Sequence, residues 1–495
     1  MSMIQFAAIQ TVSWAFLDSL KEGLNMTNEK VILGEGCIYS TDCDETGVNN
    51  NIIVCGGSGC GKTMSVSEPR LLETVDSSLI TTVTKKRLVH KYKPLFESRG
   101  YEVWDLDFVN PHLGNAGYDP LKYVRNTKDI VFLARSLVMA DQRKAASSAD
   151  PFWEDSAVSL LSAEIAYTLY KNKNATFTDV IKMHDSLDLK PSPGGSITTA
   201  YDREFRSLAG EDEPVYQWTD PDDALFPELE NINYAPGKEL HVQRSRYAQK
   251  KTRRIRNMKQ DDLAAFAVSC WNTFNDAAEK TARSIYVSLN SVIDSLFTSD
   301  LRAMIANKKS VDFKKIANKK VVLFVTTSPV NPSLNFFINM FYGTAIKQLF
   351  EYAEGRPDGT LPVPVHILCD DFATGGRIPD FPEYISIFRE KKISVTLLIQ
   401  SESQLAGMYG QTNATTIINN CDTYVYMGGM DYATAGSISR KLDVPVSDVL
   451  YMPVGDEIIF RRGQKPVRTK RYNIRADNRY HEVTEQYKSN VTRQR

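Results

Sequence analysis

NIIVCGGSGCGKT, residues 51–63, is an apolar run that breaks into a glycine-rich turn and closes on Gly61, Lys62 and Thr63. It fits the spacing G-x-x-x-x-G-K-[ST], with the β-type run Ile52, Ile53 and Val54 before it and helix-compatible residues after it. That strand–turn–helix context separates a phosphate loop from an ordinary glycine turn. In such a loop the backbone N–H groups of Gly56, Gly57, Ser58, Gly59, Cys60 and Gly61 converge on one phosphate cluster, and the positive end of the following helix adds to them. Lys62 then reaches the β- and γ-phosphates, and Thr63 holds Mg2+. The expected ligand is ATP with Mg2+. The bland alternative is a turn between strand and helix that holds nothing.

The chain has 495 residues, more than one core usually serves, so two or three folding units are expected. Its formal net charge is -1, which excludes nucleic-acid binding by bulk charge and leaves that work to local patches. Seven cysteines without a CxxC pair, and no secretory leader, point to a reducing cytoplasmic setting. The six histidines are too dispersed for a zinc site. No stretch is apolar for the length a membrane crossing needs. The N-terminal segment, residues 1–27, reads as an amphipathic helix with Phe6, Ile9, Val12, Phe16, Leu17, Leu20 and Leu24 on one face. Such a face packs on its own domain, or docks on a membrane surface or a partner helix.

Strand and helix patterns alternate after the loop: SLITTV at 78–83, a basic amphipathic helix over 85–98, and YEVWDLDF at 101–108. Alternation of this kind makes a parallel sheet, the α/β class. From about 128 to 188 only helical periods remain, and they resume over 261–305. An acidic, proline-bearing stretch at 204–230 precedes a basic run at 244–259, RSRYAQKKTRRIRNMK. The run either pairs with the acidic stretch or meets a phosphate backbone or an acidic partner. The alternation returns at VVLFVTTS (321–328), VPVHILCDDF (363–372), ISVTLLIQS (393–401) and TYVYMGG (423–429). A hairpin turning at Gly463 and a polar, flexible tail from 478 close the chain. The expected units are therefore a nucleotide-binding domain in two parts, 28–140 and 284–477, an all-α domain over 141–283, and the tail 478–495.

Hydrolysis needs a metal-holding carboxylate and a group that orients water. The strand of 363–369 ends in Asp370 and Asp371, and in a parallel sheet its end shares an edge with the phosphate loop. Asp370 is the expected Mg2+ partner, Asp371 the residue orienting the attacking water, and Gln400, closing the next strand, a γ-phosphate sensor. Arg389 lies off that edge; in a ring it would serve the neighbour's phosphate.

The segment DDFATGGRIPDFPEYISIFREKKISVTLLIQSESQL resembles the type IV secretion coupling proteins, the TraG/TraD-like conjugal transfer ATPases. Further matching stretches are VILGEG, GYEVWDLDFVNP, DPFWEDSAVSLLSAEIAY and CDTYVYMGGMDYATAGSISRKL. The resemblance implies a RecA-like P-loop domain interrupted by an all-α domain, a homohexameric ring, and ATP-driven delivery of single-stranded DNA with its attached relaxase to a type IV secretion channel. It implies the same roles for Lys62, Thr63, Asp370 and Gln400, and the in-trans finger for Arg389. The family usually has glutamate where Asp371 stands, which points to slow turnover, and its membrane helices are missing, which points to a separate membrane anchor. Two other readings stay open: a nucleotide-gated receptor that barely hydrolyses, and a ring ATPase pumping duplex DNA.

Overall fold

A computed structural model describes residues 29–138, 151–187, 189–191, 197–199, 201–210, 254–255, 258–275, 279–307, 309–328, 335–372, 377–378 and 380–493. The N-terminal amphipathic segment, the acidic stretch beyond 210 and most of the basic run lie outside them. The chain divides into two compact units, Leu121–Asp294 and the two segments Met1–Pro120 and Ser295–Arg495.

The larger unit is built on nine strands: β1 (Ile52–Cys55), β2 (Ser78–Val83), β3 (Glu102–Asp107), β4 (Val321–Thr326), β5 (Val365–Cys369), β6 (Ile393–Ile399), β7 (Thr423–Tyr426), β8 (Asp456–Arg461) and β9 (Val467–Lys470). Their order across the sheet is β9-β8-β7-β1-β6-β5-β2-β4-β3. All but β8 and β9 run parallel. β1, β2, β4 and β5 are buried at every position, the pattern of parallel strands covered on both faces. Their Val, Ile and Leu side chains each contribute about 1.5–3 kcal/mol by leaving water. Phe324 on β4 meets the Phe96 ring edge-on at 6.1 Å, so Phe324→Ala would open a cavity costing about 3–5 kcal/mol. The β8–β9 hairpin forms as its sequence suggests, with Gly463 at φ 76 in the turn.

The polar C-terminus is not a loose tail. Residues Asn478–Arg493 form a helix against the helix Lys86–Ser98. The expectation failed because little of this contact is apolar: Val483 is buried, the Lys91 ammonium lies 3.5 Å from the Tyr480 ring centroid, and Arg479 bridges Glu73 at 2.6 Å.

The smaller unit is helical: Thr127–Val138, Pro151–Lys171, Phe177–Asp185, Asp202–Ala209, Gln260–Asn275 and most of Glu279–Leu296. Two pairs of two-residue strands, at 190–191 with 197–198 and at 254–255 with 258–259, depart from a purely helical unit. Trp271 stacks on Phe205 at 4.3 Å, and Glu164 and His184, both fully buried, meet at 2.7 Å. Among the described residues no helix is long and apolar enough to cross a membrane.

Candidate functional site

The parallel register brings the carboxyl ends of β1, β6 and β5 level, with Cys55 opposite Ile399 and Cys369 opposite Leu397. In each of these strands the apolar run stops where the sheet stops. Gly56 begins the loop from β1, Gln400 follows β6, and Asp370 and Asp371 follow β5. The site is thus built on one edge of one sheet.

The loop curls through two left-handed glycines, Gly59 at φ 73 and Gly61 at φ 90, conformations that a side chain would strain. At Gly56 a Cβ would sit 2.6 Å from Cys60 Sγ, so the loop also needs glycine for space. Lys62 is buried, and its ammonium spans the loop, donating to the carbonyls of Gly56 at 2.6 Å and Gly57 at 3.2 Å. A single π-helical turn, Thr63–Ser67, leads into the helix Glu68–Glu73.

Thr63 Oγ1 donates to Asp370 Oδ2 at 2.9 Å, two strands away. Burial pushes the Asp370 carboxyl above its ordinary range, and the charge of Asp371 adds to the rise. A cation placed there would offset both. A hydroxyl and one carboxylate are hard oxygen donors, the set that suits Mg2+, which keeps waters and takes phosphate oxygens for its remaining positions. Among the described residues no three His, Cys, Asp or Glu gather as a metal cage, which such a site does not require. The residues present fit a nucleoside triphosphate with Mg2+.

Asp371 stands at φ 54, and its N–H donates to Asp370 Oδ1 at 3.1 Å. Aspartate tolerates this backbone better than most residues. Gln400 is exposed on the same edge, its N–H donating to Gln404 Oε1 at 3.3 Å. Arg389 is elsewhere. It precedes β6, at the amino edge, and donates to the carbonyls of Cys43 at 3.1 Å and Gly47 at 3.3 Å. Cys55, which ends β1, has its thiol pushed up to about 12 by burial and is chemically quiet.

One residue against the loop has no sequence signal. Arg471, just past β9, donates to the carbonyl of Cys60 and, at 2.6 Å, to that of Met427. It is one of several basic residues in KPVRTKRY, and only the folded hairpin distinguishes it.

Residues 13–215 match the family described as type IV secretory system conjugative DNA transfer. Residues 364–443 match the TraM recognition site of TraD and TraG. Together the two segments span more than half of the chain. The chain belongs to the type IV secretion coupling proteins. Among solved structures it is similar to the plasmid coupling protein TrwB in complex with ADP and Mg2+, at 14% identity over 92% of each chain with a TM-score of 0.57. It is also similar to TrwB with the non-hydrolysable ATP analogue ADPNP, at 14% identity over 86% of this chain and 85% of that one, TM-score 0.53. These likenesses show the fold, a RecA-like P-loop domain with a helical domain. No curated protein sequence matches the chain. In this coupling protein the segment matching the TraM recognition site holds Asp370, Asp371, Arg389 and Gln400.

Proposed function

We propose that this coupling protein hydrolyses Mg–ATP to deliver single-stranded DNA, with its attached relaxase, to a type IV secretion channel, working as a homohexamer on the cytoplasmic face of a membrane. The observation that carries the reading is the bond of Thr63 to Asp370 at 2.9 Å beside the buried Lys62, in a chain of the conjugative DNA-transfer family. ATP binds through the loop amides of residues 56–63, Lys62 draws charge from the β- and γ-phosphates, and Thr63 and Asp370 hold Mg2+. The bound ion neutralises charge that develops on the transferring phosphate. Asp371 orients the attacking water and Gln400 senses the γ-phosphate from the neighbouring strand end. Arg389, exposed and away from its own loop, reaches the nucleotide of the adjoining subunit.

Asp371 favours slow turnover. Its side chain is one methylene shorter than glutamate, a reach of about 1 Å, and a misplacement of that size costs on the order of 10²-fold. This is also the observation behind a second reading, a nucleotide-gated receptor that recruits substrate and barely hydrolyses. ATP turnover with and without single-stranded DNA decides between them. Stimulated turnover in the wild type supports the motor, whereas background turnover that Asp371→Glu raises supports the receptor. Stimulation by duplex DNA alone would instead favour a duplex pump.

A further inference from the structure

We infer that Arg471 is a positioning residue of the phosphate loop, clamping the Cys60 carbonyl to the end of β7 at Met427 so that the loop keeps its phosphate-binding shape. The inference rests on the reading of residues 56–63 as the ATP site.

Within the loop, Lys62 ties the Gly56 and Gly57 carbonyls and the Cys60 N–H donates to the Gly57 carbonyl at 3.3 Å. Cys60 lies between Gly59 at φ 73 and Gly61 at φ 90, and glycine pays more conformational entropy on ordering than any other residue. Two ties join the loop to the end of β7. The Gly57 N–H donates to the Gly428 carbonyl at 2.9 Å, and the two arms of the Arg471 guanidinium bind Cys60 and Met427. Arg471 is itself anchored, its N–H donating to the Gly455 carbonyl at 2.9 Å. The clamp therefore joins the ends of β1, β7 and β9. A lysine offers a single point of attachment where arginine offers a planar fork, so the bridge between two carbonyls needs arginine.

A second observation marks this arginine as unusual. Its Nε is buried and has no partner, and Glu457 on β8 is fully buried with both carboxylate oxygens unpartnered. The Arg471 charge acts on Glu457 electrostatically without a hydrogen bond between them. Gly34 leaves the space, since a side chain there would collide with the Glu457 carboxylate. The guanidinium bonds the Cys60 and Met427 carbonyls and makes no hydrogen bond to Glu457.

The test uses the full chain and two variants, Arg471→Met and Arg471→Lys. Equilibrium titration with Mg–ADP and with a non-hydrolysable ATP analogue should show both affinities about tenfold weaker in Arg471→Met, the size expected for lost bonds from a charged donor, with partial recovery in Arg471→Lys. Affinities within twofold of wild type in Arg471→Met would overturn the inference, as would a fall in melting temperature with unchanged affinity. Where Arg471→Met does not fold, hydrogen exchange of Arg471→Lys decides. Faster exchange at the amides of 57–61 with β1 unchanged supports the clamp, and loop exchange equal to wild type refutes it. Failure of the wild type to bind nucleotide would overturn the ATP reading, while exchange would still report on the clamp.

Discussion

The two edges of the nine-stranded sheet treat their buried polar groups in opposite ways. At the amino edge the carboxylate of Glu29 and the amide oxygen of Asn51 are fully bonded, although the buried Arg70 Nε has no partner. Glu29 pairs with Arg70 and also accepts from the N–H groups of Val75, Asp76 and Ser77 and from the Ser77 hydroxyl. Burial alone would raise the Glu29 carboxyl, but Arg70 and these donors hold it below its ordinary range. Asn51 ties Asn420 and Val395 in the same way. At the carboxyl edge, Asp370 is bonded by one hydroxyl and one N–H, Lys62 is bonded to carbonyls of its own loop, and Glu457 has no hydrogen bond. Saturated groups hold the fold; under-satisfied ones are where a charged ligand gains most.

The sharpest ways to break this contrast are substitutions on each edge. Arg389→Ala should lower ATP turnover about 10³-fold, the effect of removing an arginine finger, while Mg–ADP affinity stays at the wild-type value. Steady-state kinetics beside a binding titration checks this. Unchanged turnover would return Arg389 to a tie for the Cys43 and Gly47 carbonyls. Asp370→Asn should cut Mg-dependent turnover by about 10²-fold or more with the fold intact, because several kcal/mol of metal-borne charge stabilisation is lost. A magnesium titration of turnover reads it, and a variant as active as wild type contradicts the assignment. Glu29→Ala does the reverse: it leaves Arg70 buried and unpaired, so denaturant unfolding should show about 3–5 kcal/mol less stability, with nucleotide affinity unchanged in the folded protein. The smallest effect is on pH dependence. Burial pushes Glu457 up from 4.5 to about 8. A carboxyl raised on folding contributes stability that is complete below the unfolded pKa and is lost as pH rises through the folded one. The melting temperature should therefore fall between the unfolded value of 4.5 and the folded value of about 8 and level off above it, and Glu457→Gln should flatten that slope. An equal slope in the variant would remove Glu457 from the account.

Much of the sheet was legible because its strands are continuous β-branched and apolar runs; Ser78–Val83 and Val321–Thr326 could not be paired with water on either face. The phosphate loop was legible because glycine spacing is a backbone requirement written directly in sequence. The C-terminal helix was not, since a ring under an ammonium and an arginine between two acids do not register as hydropathy. Arg471 was illegible for a related reason: its importance comes from which carbonyls the hairpin brings to it, and that is a property of pairing. Arg389 shows the same limit, because its bonds to the Cys43 and Gly47 carbonyls depend on the fold and have no signature in sequence.

The carboxyl edge, through Lys62, Thr63 and Asp370, is the proposed ATP site. Titration of the full chain with Mg–ATP, beside Lys62→Ala, tests it most directly. The prediction is saturable binding in the wild type and binding at least about tenfold weaker in Lys62→Ala, the loss of one charge-assisted contact to phosphate. Equal binding by the two proteins would contradict it.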